Sequence, residues 1–447
     1  MYILTNGRLI TRDPDAKGYY EKGAVVYEGS KIVEVGEEAA LTAKYPQAER
    51  IDARGGVIMP AFINAHTHIY SALARGLSII GNNPTNFFEV LDGTWWAIDR
   101  HLTLEGTRAS ADALYIDCIK QGVTTIFDHH ASYCQIPGSL FQIGESAKKF
   151  GIRSCLCYEV SDRDGEEKCL EAIQENADWI TYCQEHKDPM LAAMFGGHAL
   201  FTISDKTFAR MVAANNGRTG YHIHVSEGMN DVYDSLQNYG RRPVQRLQDH
   251  GILGEKTILG HCIHVNTAEM EIIKETGTMV VNNPESNMGN AIGICPVLQL
   301  YKRGILLGMG TDAYTNDMLE SLKVALCSQR SQNCLPNVGW CEVTDMLFKN
   351  NAKIGAKYFP DQLGVLKAGA AADIIVMDYK PFTPFSDENI DGHMIFGMTG
   401  RQCQTTIAAG KLLMKDRELV GIDEEAENAH ILEASKKLWG SLNHREY

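Results

Sequence analysis

Asn64-Ala65-His66-Thr67-His68 ends a short apolar run that starts at Val57. The run reads as a buried β-strand over 57–64. His66 and His68 lie two residues apart, so an extended backbone turns both imidazoles to one face. Two neutral imidazoles on one face suit a divalent metal such as zinc or iron. Two histidines at strand spacing are also common as packing residues, so the rest of the chain has to decide between these readings.

Downstream, apolar runs alternate with longer amphipathic stretches. The runs fall at 57–64, 124–130, 154–160, 194–199, 220–225, 257–260, 279–281 and 305–310. Strands separated by helical text predict an α/β fold, a (β/α)8 TIM-like barrel over residues 59–360. The C-terminal end of each run carries a chemical group: His66 and His68, Asp128-His129-His130, Glu159, His198, His224 with Glu227, His261, Asn282-Asn283, and Asp312. A barrel gathers those ends on one face, where active sites are built.

Outside this region the text is short strands and turns. Glu28-Gly29-Ser30-Lys31 between two apolar runs is a hairpin signal. So small a sheet needs a partner, and Ala372 to Asp378 and Thr405 to Met414 supply similar text. Residues 1–58 with 361–423 are therefore expected to form one β-sandwich, and 424–447 a terminal helix.

The 447 residues carry a formal charge of −14, which argues against nucleic acid or an anionic membrane as partner. No apolar run nears the roughly 20 residues that span a bilayer. The start, Met1 to Asp13, lacks the layout of a signal peptide. The 12 cysteines are scattered without a Cys-x-x-Cys pair, as expected of buried thiols in a reducing cytoplasm.

His66, His68, His224 and Asp312 make a ligand set of three histidines and a carboxylate that leaves a coordination position open, as a hydrolytic metal requires. One metal of this kind is expected, Zn2+ by first choice, with Fe2+ also suited to the set. His222 is expected to support rather than ligate. His261 is either a second-metal ligand or a catalytic imidazole. Glu227 suits a proton shuttle to a ring nitrogen; the plainer reading is a helix N-terminal charge.

His66-Thr67-His68, His224-x-x-Glu227, Gly260-His261-Cys262 and Gly310-Thr311-Asp312, in that order, resemble the metal-dependent amidohydrolase superfamily. The flanks agree, from Met59-Pro60-Ala61 through Asn283-Pro284-Glu285-Ser286-Asn287 to Leu363–Asp373. The branch is similar to guanine deaminase, S-adenosylhomocysteine deaminase and the triazine hydrolases. Within it, the stretches 91–100, 127–132 and 316–320 most resemble the SsnA group of aminohydrolases.

The resemblance implies a mononuclear site held by His66, His68, His224 and Asp312, with catalytic roles for Glu227, His261 and Asp312. The absence of lysine from 194–199 agrees, since binuclear relatives bridge two metals through a lysine there. It implies attack by metal-bound hydroxide on an amino-bearing ring carbon of a purine-like or other N-heterocyclic amidine, releasing ammonia. His198, Asn287 and Trp95 are the expected substrate contacts, Trp95 being either core packing or a stacking lid. A cyclic-amide or halide-releasing hydrolase is the alternative, and a non-catalytic metal-binding protein the second. The partner is then a small heterocycle, and relatives are often dimers, so a homodimer is compatible. Three places depart from the family pattern: Leu200 where proline is usual, Glu285 where arginine is usual, and Asp128-His129-His130.

Overall fold

The structure, a computed structural model, describes residues 1–447. Both ends of the chain meet in one nine-stranded sheet. Its seam is Val57–Pro60, which runs parallel to Tyr2–Ile10 and antiparallel to Ile374–Met377. From there the sheet extends through Tyr19–Glu28 and Lys31–Glu37 on one side. On the other it extends through Cys403–Ala408 and Lys411–Lys415. The hairpin turn falls at Gly29-Ser30, where Gly29 takes a left-handed φ of 55°. A shared core explains why neither end stands alone: Leu4, Val25, Ile58, Ile374, Val376 and Ile407 pack in one buried cluster.

The apolar run at 57–64 is not one strand. Val57–Pro60 belongs to the terminal sheet, and Phe62–Thr67 pairs with Val123–His130. The handover takes a single residue, Ala61, whose N–H donates to the Asp373 carbonyl at 3.1 Å. Both halves are buried on both faces, so their text is uniformly apolar and hides the junction.

The remaining parallel strands form two sheets. Phe62–Thr67, Val123–His130, Arg153–Tyr158 and Leu191–Ala193 make four. Phe195–Ala199, Tyr221–Val225, Ile258–His261, Met279–Asn282 and Leu307–Met309 make five. The run expected at 194–199 thus has a short companion, Leu191–Ala193, which stays with the first sheet. At Met194 the chain crosses over: its N–H bonds Leu156, while the next N–H, of Phe195, bonds Gly220. Parallel bridges join the sheets at both margins, Thr67 with Asp312 and Val160 with Gly197.

Helices connect the parallel strands. Leu104–Gln121 is typical: Thr103 Oγ1 accepts from Gly106 N at 3.2 Å to cap its start, and Gly122 at φ 78° ends it. The last helix, Glu424–Asn443, packs back on the chain, with Trp439 Nε1–H donating to the Leu73 carbonyl at 2.8 Å. No helix is long and apolar enough to cross a membrane.

A buried ion pair ties the parallel and terminal sheets together. Arg153, fully buried at the start of its strand, pairs with Asp373 just before Ile374–Met377. Replacing Arg153 with methionine strands a buried carboxylate, and an uncompensated buried charge costs about 3–5 kcal/mol. Denaturant unfolding of the variant is expected to show a loss of that size. A change within about 0.5 kcal/mol, the usual range for a surface substitution, would show that the pair does not join the sheets.

Candidate active site

The ends of the parallel strands bring the histidines together. His66 lies in Phe62–Thr67 and His68 just past it, as strand alternation predicts. His224 ends Tyr221–Val225 from the other sheet. The donor atoms of His66, His68 and His224 lie within 4.8 Å of one another, as do those of His66, His261 and Asp312. Asp312 is drawn in by the backbone: its N–H and that of Thr311 both donate to the His66 carbonyl at 3.0 Å. Gly310 is required for that approach, because a Cβ there would sit 2.6 Å from the same carbonyl oxygen. His261 and Asp312 both take left-handed backbone, at φ 67° and 58°, a conformation non-glycine residues adopt mainly where surroundings enforce it.

Hydrogen bonds set the tautomers. His68 Nδ1 lies 2.6 Å from the His129 carbonyl and His224 Nδ1 lies 2.9 Å from the His198 carbonyl. A carbonyl only accepts, so both rings carry the proton on Nδ1. Their Nε2 atoms then face each other as bare lone pairs at 3.2 Å. His66 adds a third nitrogen: its Nδ1 meets His222 Nε2 at 2.8 Å, and its buried Nε2 has no partner. Converging lone pairs with no proton to share are a donor set for a cation, and backbone carbonyls behind ligating histidines are the usual support. The residues present therefore fit a divalent metal. His222 sits behind His66, against its Nδ1.

Asp312 closes the cluster. Its Oδ1 is 3.1 Å from His68 Nε2, and its Oδ2 accepts from Ser286 Oγ at 2.6 Å. His261 donates Nδ1–H to Asn287 Oδ1 at 2.7 Å, which leaves Nε2 3.5 Å from Asp312 and 3.6 Å from Glu227. Asn287 thus lies behind His261, and the cavity wall in its neighbourhood is formed by Asn290. Trp95 and His198 both line the cavity, as do Glu227, Tyr70, Trp96 and Glu159. A larger hollow shares Trp95 and Ala313 with this cavity but holds none of the clustered histidines.

A model described as the amidohydrolase family matches residues 57–413. The chain belongs to this family. A second model, an imidazolonepropionase-like composite domain of bacteria, matches residues 23–48. The chain is similar to a protein named 5'-deoxyadenosine deaminase from Methanosarcina mazei, 30% identical with 99% of each chain covered. Among solved structures, it resembles an adenosine deaminase from Xanthomonas campestris with bound zinc, at TM-score 0.85, 22% identity and 98% coverage of each. E. coli guanine deaminase aligns at TM-score 0.80 and 20% identity, over 93% of this chain and 100% of that one.

Burial dominates the electrostatics of this amidohydrolase's cavity. It pushes His66 and His224 well below the usual histidine range, helped by the neighbouring imidazoles, so both stay neutral. It pushes Glu227 well above the carboxylate range, with Asp312 and Asp231 adding repulsion. Asp312 goes the other way. Burial would raise it, but its contact with the His68 ring and the surrounding imidazoles hold it well below its ordinary value. Two carboxyls in one cavity are thus driven apart, one towards the acid and one towards the anion.

Some contributors carry little signal in the sequence. Ser286 touches Asp312 from the short helix Pro284–Gly289, and its place in the sequence assigns it no role. Glu159 stands at the end of the third apolar run, and its position is the only clue to its place in the cavity.

Proposed function

We propose that this amidohydrolase is a metal-dependent hydrolytic deaminase of a purine-like or other N-heterocyclic amidine. The observation that carries the reading is the pair of lone pairs, His68 Nε2 and His224 Nε2, held 3.2 Å apart by backbone carbonyls behind both rings. Its relatives' names, among them 5'-deoxyadenosine deaminase, support the same chemistry. In this reading the two parallel sheets, bridged at both margins, close as a (β/α)8 barrel, and the terminal sheet curls into a β-sandwich beside it.

His66, His68, His224 and Asp312 would hold one divalent ion, zinc by preference given nitrogen and carboxylate donors. When bound, that ion acidifies a water for the attack. The chain supplies the proton traffic. Glu227, kept protonated by burial, stands in the cavity wall and delivers its proton to the ring nitrogen beside the reacting carbon. Asp312 Oδ2 takes a proton from the attacking water and returns it to the departing amine. His261 Nε2, fixed by Asn287, lies 3.5 Å from Asp312 and, as the open acceptor of its ring, takes a hydrogen bond from the attacking water. Asn287 is a positioning residue in this scheme, and Trp95, Trp96 and Tyr70 enclose the ring.

The test is ammonia release from zinc-loaded protein against aminopurines, pterins, aminopyrimidines and aminotriazines, by a coupled assay. Turnover of at least one class is expected. Full metal loading with no ammonia from any of them, and hydrolysis of a cyclic amide instead, would overturn the deaminase reading.

A further inference from the structure

Glu159 belongs to no motif, yet it is 2% exposed and lines the cavity next to His198. The donor atoms of Glu159, His198 and His224 lie within 4.8 Å of one another, so Glu159 stands beside the histidine cluster rather than at the mouth. Its own partners are distant: Arg163 Nη2 at 3.4 Å from Oε1 and His129 Nδ1 at 3.4 Å from Oε2. Charge-assisted hydrogen bonds run to about 2.7–2.9 Å, so acceptor capacity is left over. His129 does not use it. That ring lies against the carbonyls of Gly197 at 3.0 Å and His222 at 3.2 Å through Nε2, which must donate. Its buried Nδ1, 3.4 Å from the carboxylate, makes no hydrogen bond of ordinary length.

His198 is an acceptor as well. Its Nδ1 meets Thr202 Oγ1 at 2.8 Å, and that hydroxyl is committed to the Ala199 carbonyl at 3.0 Å. Thr202 therefore accepts, Nδ1 carries the proton, and Nε2 is left as a lone pair. Glu159 comes from the four-stranded sheet, whereas Glu227 follows Tyr221–Val225 of the five-stranded sheet. The His198 strand stands between those two strands, so a ring in the cavity meets the acid Glu227 and the acceptors Glu159 and His198 from three successive strand ends.

Resting on the deaminase reading, we infer that Glu159, with His198, is a specificity-determining pair that selects rings whose reacting amidine carries an N–H donor. These are 2-amino-oxo heterocycles of the isocytosine, pterin or guanine type. In such a ring, one nitrogen flanking the amino-bearing carbon accepts, as Glu227 needs, and the other carries a hydrogen for Glu159. An adenine ring flanks its amino-bearing carbon with one acceptor nitrogen and a carbon, and the next nitrogen along is again an acceptor. Set against Glu159 and His198, that edge leaves acceptors facing acceptors, which a buried site penalises.

Calorimetric binding to zinc-loaded protein tests this separately from turnover. Isocytosine and pterin are expected to bind about tenfold or more tightly than adenine and adenosine. Glu159→Gln, which offers an N–H in place of one acceptor, is expected to erase or reverse that ratio with metal content unchanged, and Glu159→Asp to keep its direction. If the variants fail to fold, wild-type binding of pterin against its ring N-methylated analogue reads the same donor, with the methyl form expected to bind weakly. Tighter binding of adenosine than of isocytosine would overturn the inference, even with ammonia released. Loss of that binding in 2',3'-dideoxyadenosine would then show that the pair reads sugar hydroxyls. The preferred binding without ammonia release would overturn the deaminase reading and leave the selectivity in place.

Discussion

Glu227→Gln is expected to keep the metal and to lose ammonia release by two orders of magnitude or more, within the ~10²–10⁴ range of a positioned general acid or base. The substitution preserves shape and hydrogen-bonding capacity but removes the transferable proton. Glu227 makes no contact with His66, His68 or His224 close enough to count among their donor groups, so the donor set survives. His261 Nε2 lies 3.6 Å from its carboxyl. The loss should fall on kcat, because the proton reaches the ring nitrogen as the carbon becomes tetrahedral and not before. Metal analysis alongside steady-state kinetics checks both halves. Near-normal turnover would reduce Glu227 to a structural charge at the head of the loop that Asp231 pins through the N–H of Ser226.

Glu227 also shows what was legible before any coordinates. It lies three residues past His224, and strand text before it placed it at the edge of a site. The same logic found His66, His68, His261 and Asp312, because a parallel strand exposes its chemistry at its C-terminal end whatever surrounds it. Strand alternation gave the shared face of His66 and His68, and the family pattern separated His224 from His222.

Less legible were features that depend on which sheet a strand joins. Val57–Pro60 and Phe62–Thr67 read as one run because both are buried on both faces, and only pairing partners distinguish them. The break at Met194 is hidden for the same reason. Polar contacts across long sequence separations were out of reach too. Ser286 reaches Asp312 across 26 residues, and Arg163 reaches Asp99 across 64. Asn287 was expected at the substrate, where motif order places it. The structure sets its amide against His261 and Asn282 instead, because Asn287 sits on the short helix Pro284–Gly289 that packs behind the ring.

His66→Ala and Asp312→Ala are each expected to lose metal and activity together. Supporting residues that only orient a ligand cost roughly 10–100-fold in metal affinity when removed, so a lost donor bond should exceed that. The case for His66 rests on its Nε2, a buried atom without a partner that the fold has placed among two other lone pairs. Removing the ring also frees His222 Nε2 from its 2.8 Å bond, so circular dichroism should accompany metal analysis. Asp312 lies differently. Its carboxylate contacts His68, Ser286 and His261, and the anion is what those contacts favour. Its removal strips negative charge from the cluster as well as a donor oxygen. A folded variant that still binds one metal per chain would take that residue out of the ligand set. If it were Asp312, three histidines would hold the ion alone, and the carboxylate would act only on the proton that passes from water to the leaving amine.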